Sequence, residues 1–435
     1  MLRRYTLRRK LLGDKWKDKG ERMVGKFSEV AATEQHKDWE ALIARPEELY
    51  SKAGDIRSPF ARDFTRVLHS LAYRRLKHKT QVFFNAAGND HICTRMEHVQ
   101  HVESVSMTIA KALGLNEELT KAIAMAHDLG HAPFGHQGEK ILRDICKEHL
   151  DHDFWHEQNG VYLVDHVELL VNQQRQYMNL SLAYAVRDGI ISHCGELDNN
   201  AIRPREELFD LAVFDAPGKY EAATWEGCVV KLADKIAYLG RDIEDAIRLG
   251  YLNDVQLKEL QEIVSFRDEV AVNTTGIMHA MIIDLCNNSS PEDGLRLSEE
   301  MSEKLNQIKA FNYAHIYKNK RLNPFNKYAE LVINELFNAL MEYYELYGQE
   351  VIFKLQDNRF DGRKFVEGFV HWLIQYCDFD YAAGTEANEI AKRCINKKIY
   401  GTLQDKKTYA QAVVDFIAGM TDGYTVSAFE ELLRC

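Results

Sequence analysis

The sequence predicts an all-α protein. Three observations lead there: seven prolines in 435 residues, an abundance of Ala, Leu, Glu and Lys, and apolar residues that recur at helical rather than alternating spacing.

Residues 1–50 are polar, with a short helical segment around Trp39–Ala44. From Arg57 to Phe84 the residues Phe60, Phe64, Val67, Leu68, Leu71 and Leu76 keep a helical period, and Asn85 to Asp90 (NAAGND) reads as a turn. Thr94 to Leu113 is the next helix, with Val99, Val102, Val105, Ile109 and Leu113 on its apolar side and Gly114 to close it. Asn116 caps a helix over Glu117–His127, which Gly130 and Pro133 end. Further helices are predicted at about 157–175, 180–193, 224–249, 255–266 and 269–286, then at 326–347, 362–376, 384–396 and 408–431. The segments 195–206 and 288–296 read as loops. Val351–Leu355 is the one tempting strand. No internal repeat and no low-complexity linker appears.

Composition bounds the function. Hydrophobic residues are 46% and charged residues 28% of the chain, as in ordinary soluble globular proteins. The net charge of −11 is unevenly spread: residues 1–26 hold ten Lys/Arg against three Asp/Glu. An acidic body attracts nucleic acid poorly. The basic start (Arg3, Arg4, Arg8, Arg9, Lys10) is either a weak nucleic-acid contact or a solvated arm ordered only in an oligomer. Eight cysteines without a CxxC pair argue against a zinc knuckle or disulfide frame and suit a reducing, cytoplasmic setting. No apolar h-region and no stretch of 18 apolar residues occurs, so neither secretion nor a membrane span is expected.

Ten of the seventeen histidines fall between residues 91 and 166. Packing alone explains such crowding badly, because a buried imidazole needs a partner for each ring nitrogen. His127 and Asp128 are adjacent at the end of an apolar helix, where both can reach one ion lodged between helices. His98 lies one helical hairpin upstream, and Asp234 far downstream in KLADKIAYLGRDIEDA. Two imidazoles and two carboxylates suit a divalent ion (Mn, Mg, Fe, Co, Ni or Zn) with positions left open for water and phosphate. An ion-paired helix core is the alternative.

His131, His136, Glu139 and His156 surround this quartet in HDLGHAPFGHQGE and FWHEQNG. His136 and Glu139, three apart, share a helix face. A carboxylate there favours the protonated ring that a general acid needs, although either residue could instead cap a helix. Asp234, Tyr238 and Asp242 recur at four-residue spacing, so one helix can present a metal ligand, an aromatic platform and a hydrogen-bond acceptor in line. Lys235 is placed to meet phosphate oxygens, and core packing is the plain alternative for Tyr238.

The chain resembles the deoxyguanosine triphosphate triphosphohydrolases, a family of HD-domain proteins, and their mammalian SAM-and-HD-domain relative. The resemblance rests on RSPFARDFTRVLHSLAYRRLKHKTQVF (57–83), TRMEH (94–98), AHDLGHAPFGHQGE (126–139), WEGCVVKLADKIAYLGRDIEDA (225–246) and DFIAGMTDGY (415–424). It implies an HD helical bundle with additional C-terminal helices and few or no strands. The corresponding organisation is a lead-in over 1–56, a catalytic core over 57–250 and a helical C-terminal part over 251–435 packed on that core. It further implies metal ligation by His98, His127, Asp128 and Asp234, and sugar and α-phosphate contacts by Gln81 and Arg95. His131, His136 and His156 are implied around the phosphates, with His136 and Glu139 in the acid/base role. Lys235 is implied on phosphate, Tyr238 against the deoxyribose and Asp242 on its 3′-hydroxyl. Lys309 and Tyr317 correspond loosely to a pair near the triphosphate and base. The segment after the second histidine cluster reads His156-Glu157-Gln158-Asn159, closer to the mammalian relative. Gly423 stands where bacterial members commonly carry arginine, and the loop 195–221 is particular to this branch.

The expected reaction is hydrolysis of a dNTP to deoxynucleoside and tripolyphosphate, with His136 protonating the departing 5′-oxygen. Homo-oligomers are expected from the family, and a nucleotide activator is a further candidate partner that the sequence does not reveal. The rival readings are an HD phosphohydrolase acting on a monophosphate or alarmone, and a non-enzymatic nucleic-acid-binding protein. The sugar clamp argues against the first and the intact metal quartet against the second.

Overall fold

Thr94–Leu113 shows how directly local sequence sets the helices. In the computed structural model, which describes residues 25–48, 54–84, 91–195, 201–264 and 274–434, the Thr94 side chain accepts from Glu97 N while the Glu97 carboxylate answers Thr94 N. This reciprocal cap satisfies two of the donors that a helix start leaves over. The helix ends at Gly114, whose φ of 81° suits a residue without Cβ. Asn116 caps the next helix through Glu118 N and Leu119 N.

Fourteen helices frame the site: α1 (Pro59–His69), α2 (Arg95–Leu113), α3 (Glu117–Ala126), α4 (Gly135–His149), α5 (His156–Tyr162), α6 (Tyr184–Ser192), α7 (Trp225–Arg248), α8 (Asp254–Val264), α9 (Thr274–Asn288), α10 (Glu299–Asn312), α11 (Asn323–Tyr347), α12 (Lys364–Tyr376), α13 (Lys406–Ala418) and α14 (Asp422–Leu432). The fold is all-α, as the sequence predicts. Two apolar cores organise it. In the first, α7 packs on α2, α3, α6 and α9, and α3 packs on α1. Buried Val99, Val102, Ile109 and Leu113 line α2 there, each contributing about 1.5–3 kcal/mol by leaving water. In the second, α11 packs on α4, α13 and α14. Leu129 belongs to the first core, and Ala132 and Phe134 to the second, so the turn between α3 and α4 bridges them.

Four segments depart from the expected elements. The helix expected through Arg57–Phe84 breaks at Ser70, whose extended backbone lets its hydroxyl cap a second helix, Leu71–Arg75, through Tyr73 N. The helix expected to reach 175 ends in a turn over Leu163–Val167 and becomes a hairpin of β1 (Leu169–Val171) and β2 (Tyr177–Asn179), antiparallel with Leu170 opposite Met178. The Asn172 side chain fixes the connecting turn by accepting from Gln174 N and Gln176 N. Val351–Leu355 is helical, because Val351, Ile352 and Leu355 form one buried helix face rather than an alternating one. The segment 408–431 is two helices, parted where Thr421 caps α14. The expected turn at 85–90 and the basic residues 1–24 lie outside the described residues. The polar segments 195–206 and 288–296 are joined by backbone bonds between Ile202 and Leu295, and residues 196–200 lie outside the described residues. No described helix is long and apolar enough to cross a membrane.

One buried acid makes the second core pH-sensitive. Asp415 on α13 accepts from Tyr400 at 2.8 Å, Tyr162 at 3.1 Å and Gln411 at 2.7 Å. Burial pushes its carboxyl up to about 6, against those hydrogen bonds. A pKa raised by folding stabilises the fold while the group is protonated, and that stability is lost as pH rises through about 6. A tenfold change in proton affinity between the unfolded and folded chain corresponds to about 1.4 kcal/mol. Urea unfolding between pH 4.5 and 7.5 should therefore show wild-type stability falling relative to Asp415→Asn. Parallel pH profiles for the two proteins would contradict this.

Candidate active site

The turn between α3 and α4 gathers the titratable residues. His127 and Asp128 follow the end of α3, and Gly130 lies against α5 so closely that a Cβ would sit 2.0 Å from His156 O. Asn159 on α5 ties this approach by donating to Gly130 O at 2.7 Å. With the backbones in contact, the His131 and His156 rings stack with centroids 3.8 Å apart. Phe134 and Gly135 then take positive φ values of 64° and 61°. For a phenylalanine this costs about 1–3 kcal/mol, and Asp422 secures it by accepting from Phe134 N at 2.9 Å. The other Asp422 oxygen accepts from Thr80 N and the Thr80 hydroxyl. Buried Lys79 donates to the carbonyls of His131 and Ala418.

Four of the sequence-predicted residues meet at this turn. His98 on α2 places Nε2 2.9 Å from Asp234 Oδ1 on α7 and 3.7 Å from Asp128 Oδ2. His127 Nε2 lies 3.7 Å from Asp128 Oδ1 and 3.9 Å from Asp234 Oδ1, beyond hydrogen-bond range. Its Nδ1 is 2.7 Å from Ala124 O, an acceptor only. Nδ1 therefore donates to that carbonyl, and Nε2 points toward the two carboxylates. That buried Nε2 has no hydrogen-bond partner. Two imidazole nitrogens and two carboxylates converging in one buried place suit a cation, so the residues fit a divalent metal ion. His98, His127 and Asp234 bring one ligand atom each within 4.8 Å of one another, and Asp128 forms an overlapping group with His127 and His193.

Asp128 is held from two more sides, by Arg95 Nη1 at 2.8 Å and His131 Nε2 at 2.9 Å. Burial opposes its charge, but His131 and Arg95 outweigh it and keep the carboxyl well below its usual range. The His131 ring is itself driven neutral by burial, Arg95 and His156. Arg95 Nη2 also approaches Gln81 O at 3.5 Å, and the buried Gln81 Oε1 has no partner.

Glu139 organises the neighbouring histidines. It meets His156 Nδ1 at 3.0 Å, His136 Nδ1 at 3.4 Å and Arg143 Nη2 at 3.1 Å. Burial opposes its charge, yet His156 and His136 hold it below the carboxylate range. Burial would lower His156, but Glu157 and Glu139 overcome this and push it up to about 9. His136, by contrast, has a side chain 72% exposed. Further along α7, Lys235 and Tyr238 are half-buried. Asp242 is buried and accepts from the Tyr317 hydroxyl at 2.5 Å. Burial pushes Asp242 up to about 7, against that bond. Lys309 is half-buried on α10, the helix that leads into the Tyr313–Tyr317 turn.

Comparison with known proteins places this constellation. The HD domain family matches residues 95–239, and the phosphohydrolase-associated domain family matches residues 295–366. A deoxyguanosinetriphosphate triphosphohydrolase-like protein of Caldanaerobacter subterraneus is 32% identical over 87% of this chain and 86% of its own length. One of Desulfatibacillum aliphaticivorans is 37% identical over 66% of this chain and 74% of its own. The chain belongs to the deoxyguanosinetriphosphate triphosphohydrolase-like family of HD-domain phosphohydrolases. A third relative, from Clostridium perfringens, bears the same name and is 30% identical over 87% of each chain.

Sequence reasoning misses three residues that this HD site contains. Buried His193, just past α6, lies with its ring centroid 4.9 Å from that of His127 and 5.4 Å from that of His156. Its signal is its place at the end of an apolar helix, the position that also distinguishes His127. Lys79 and Asp422 lie in segments that carry the resemblance, but nothing in their spacing shows that they brace the His131–Phe134 backbone.

Proposed function

We propose that the chain hydrolyses deoxynucleoside triphosphates to deoxynucleoside and tripolyphosphate, with a divalent ion held by His98, His127, Asp128 and Asp234. The observation that carries this reading is the layout of α7. Asp234 joins the donor cluster at one end, and Asp242 with Tyr317 forms a buried hydrogen-bonding corner two turns further on. A phosphomonoesterase needs only the first, whereas a nucleotide bound through its α-phosphate uses both.

The ion, when bound, supplies Lewis-acid stabilisation to the α-phosphate. The chain's own residues do the rest. Cationic His156 and Arg95, with Lys235, face the phosphate charge, and neutral His131 keeps Asp128 in place by donating to it. Gln81 offers an unpartnered acceptor to the sugar side. Tyr238 underlies the deoxyribose, Asp242 and Tyr317 take its 3′-hydroxyl, and Lys309 reaches toward the triphosphate. His136 delivers a proton to the departing 5′-oxygen from the exposed side of the cluster, and Glu139 orients it.

General acid catalysis contributes about 10²–10⁴-fold. His136→Ala should lower kcat by that order with metal content unchanged. A raised KM with kcat intact would make His136 a binding residue and move the acid role to His156.

Tyr238 against C2′ leaves a ribose hydroxyl without water or a partner, at a cost of about 1–3 kcal/mol. Turnover of four dNTPs and four NTPs with several metals should favour the deoxy series. Tyr238→Ala should narrow that ratio in kcat/KM. Equal turnover of dGTP and GTP by the wild-type chain would overturn the reading.

A further inference from the structure

Beside the proposed catalytic ion lies a second donor set of different chemistry. His156, His193 and Cys194 bring one ligand atom each within 4.8 Å of one another. Cys194 Sγ is 3.4 Å from His156 Nε2. Both imidazoles are locked in the orientation that a metal requires. His193 Nδ1 is 2.7 Å from Ile190 O, so it carries the proton and Nε2 keeps its lone pair. That Nε2 is buried and has no hydrogen-bond partner. His156 Nδ1 faces the Glu139 carboxylate at 3.0 Å, the outer carboxylate that commonly supports a metal-bound histidine. Buried Glu157 brings a second carboxylate, 3.4 Å from His156 Nδ1.

We propose that His156, His193 and Cys194 form a separate site for a thiophilic divalent cation of the zinc type, and that its occupation switches off turnover. Two imidazoles and a thiolate select zinc over the hard ions that a two-carboxylate site accepts. Zinc bonds of about 2.3 Å to sulfur and 2.0–2.1 Å to nitrogen, at tetrahedral angles, set sulfur and nitrogen about 3.6 Å apart. The 3.4 Å between Cys194 Sγ and His156 Nε2 is close to this separation. On binding, Cys194 Sγ and His156 Nε2 each release their proton to solvent as the metal bonds form. His156 Nε2, once bound to the ion, can no longer contact a phosphate. The inhibition arm rests on the role proposed for His156, whereas the metal-binding arm does not.

The test uses the full chain. Cobalt(II), added to wild-type protein, should give the intense near-ultraviolet charge-transfer band of a cobalt–thiolate bond. Cys194→Ser should lack the band, and Asp234→Ala, which alters the first site alone, should keep it. Zinc added to manganese-loaded enzyme should inhibit the wild type, and Cys194→Ser, with basal turnover retained, should need at least tenfold more zinc. A wild type without the band, or a band that persists in Cys194→Ser, would overturn the site. A band of the expected pattern with equal zinc sensitivity in both proteins would overturn the switch and, with it, the role given to His156.

Discussion

Asp128 is a carboxylate with almost no access to water, and the surrounding structure answers its charge. An isolated buried carboxylate is unstable, and removing one partner of a buried ion pair costs about 3–5 kcal/mol. Here Arg95 comes from the first turn of α2, His131 from the following turn, and His98 and His127 complete the ring. Arg95 and His98 come from α2 and His127 and His131 from the turn after α3, so satisfying one charge fixes these two segments against each other, and the His98–Asp234 contact brings in α7. The capping box that starts α2 at Arg95 and the glycine contact between Gly130 and α5 serve this arrangement locally.

Proton placement follows from the same neighbours. His131 lies between Arg95 and cationic His156 and stays neutral, while His156 lies between two glutamates and stays charged. Two rings stacked 3.8 Å apart thus hold different protonation states. His127 and His193 are each oriented by a single backbone carbonyl at Nδ1, which turns Nε2 inward. The second core contributes at a distance. Asp422 and Thr80 clamp the left-handed turn at Phe134, and Lys79 links His131 to the end of α13. The C-terminal helices thereby help to position the first residues of α4, His136 among them.

Much of this is legible in the sequence because helix signals are local. Thr94, Gly114 and Asn116 mark their helix ends by side-chain chemistry alone, and the His127–Asp128 pair announces itself by residue type. The hairpin at Leu169–Asn179 is not legible. Its apolar run is short enough to continue a helix, and only the Asn172 turn decides otherwise. The break at Ser70 is hidden similarly, since the apolar period continues through it. His193, Lys79 and Asp422 are illegible as site residues for another reason. Their partners lie tens to hundreds of positions away, and only the packing of two cores on one turn brings them together.

The central claim is that this turn directs water to the α-phosphorus of a deoxynucleoside triphosphate. Hydrolysis in ¹⁸O-labelled water, with mass analysis of both products, tests it most directly. The account predicts one labelled oxygen in tripolyphosphate and none in the deoxynucleoside. Release of pyrophosphate with a nucleoside monophosphate, or label on the 5′-hydroxyl of the deoxynucleoside, would contradict it.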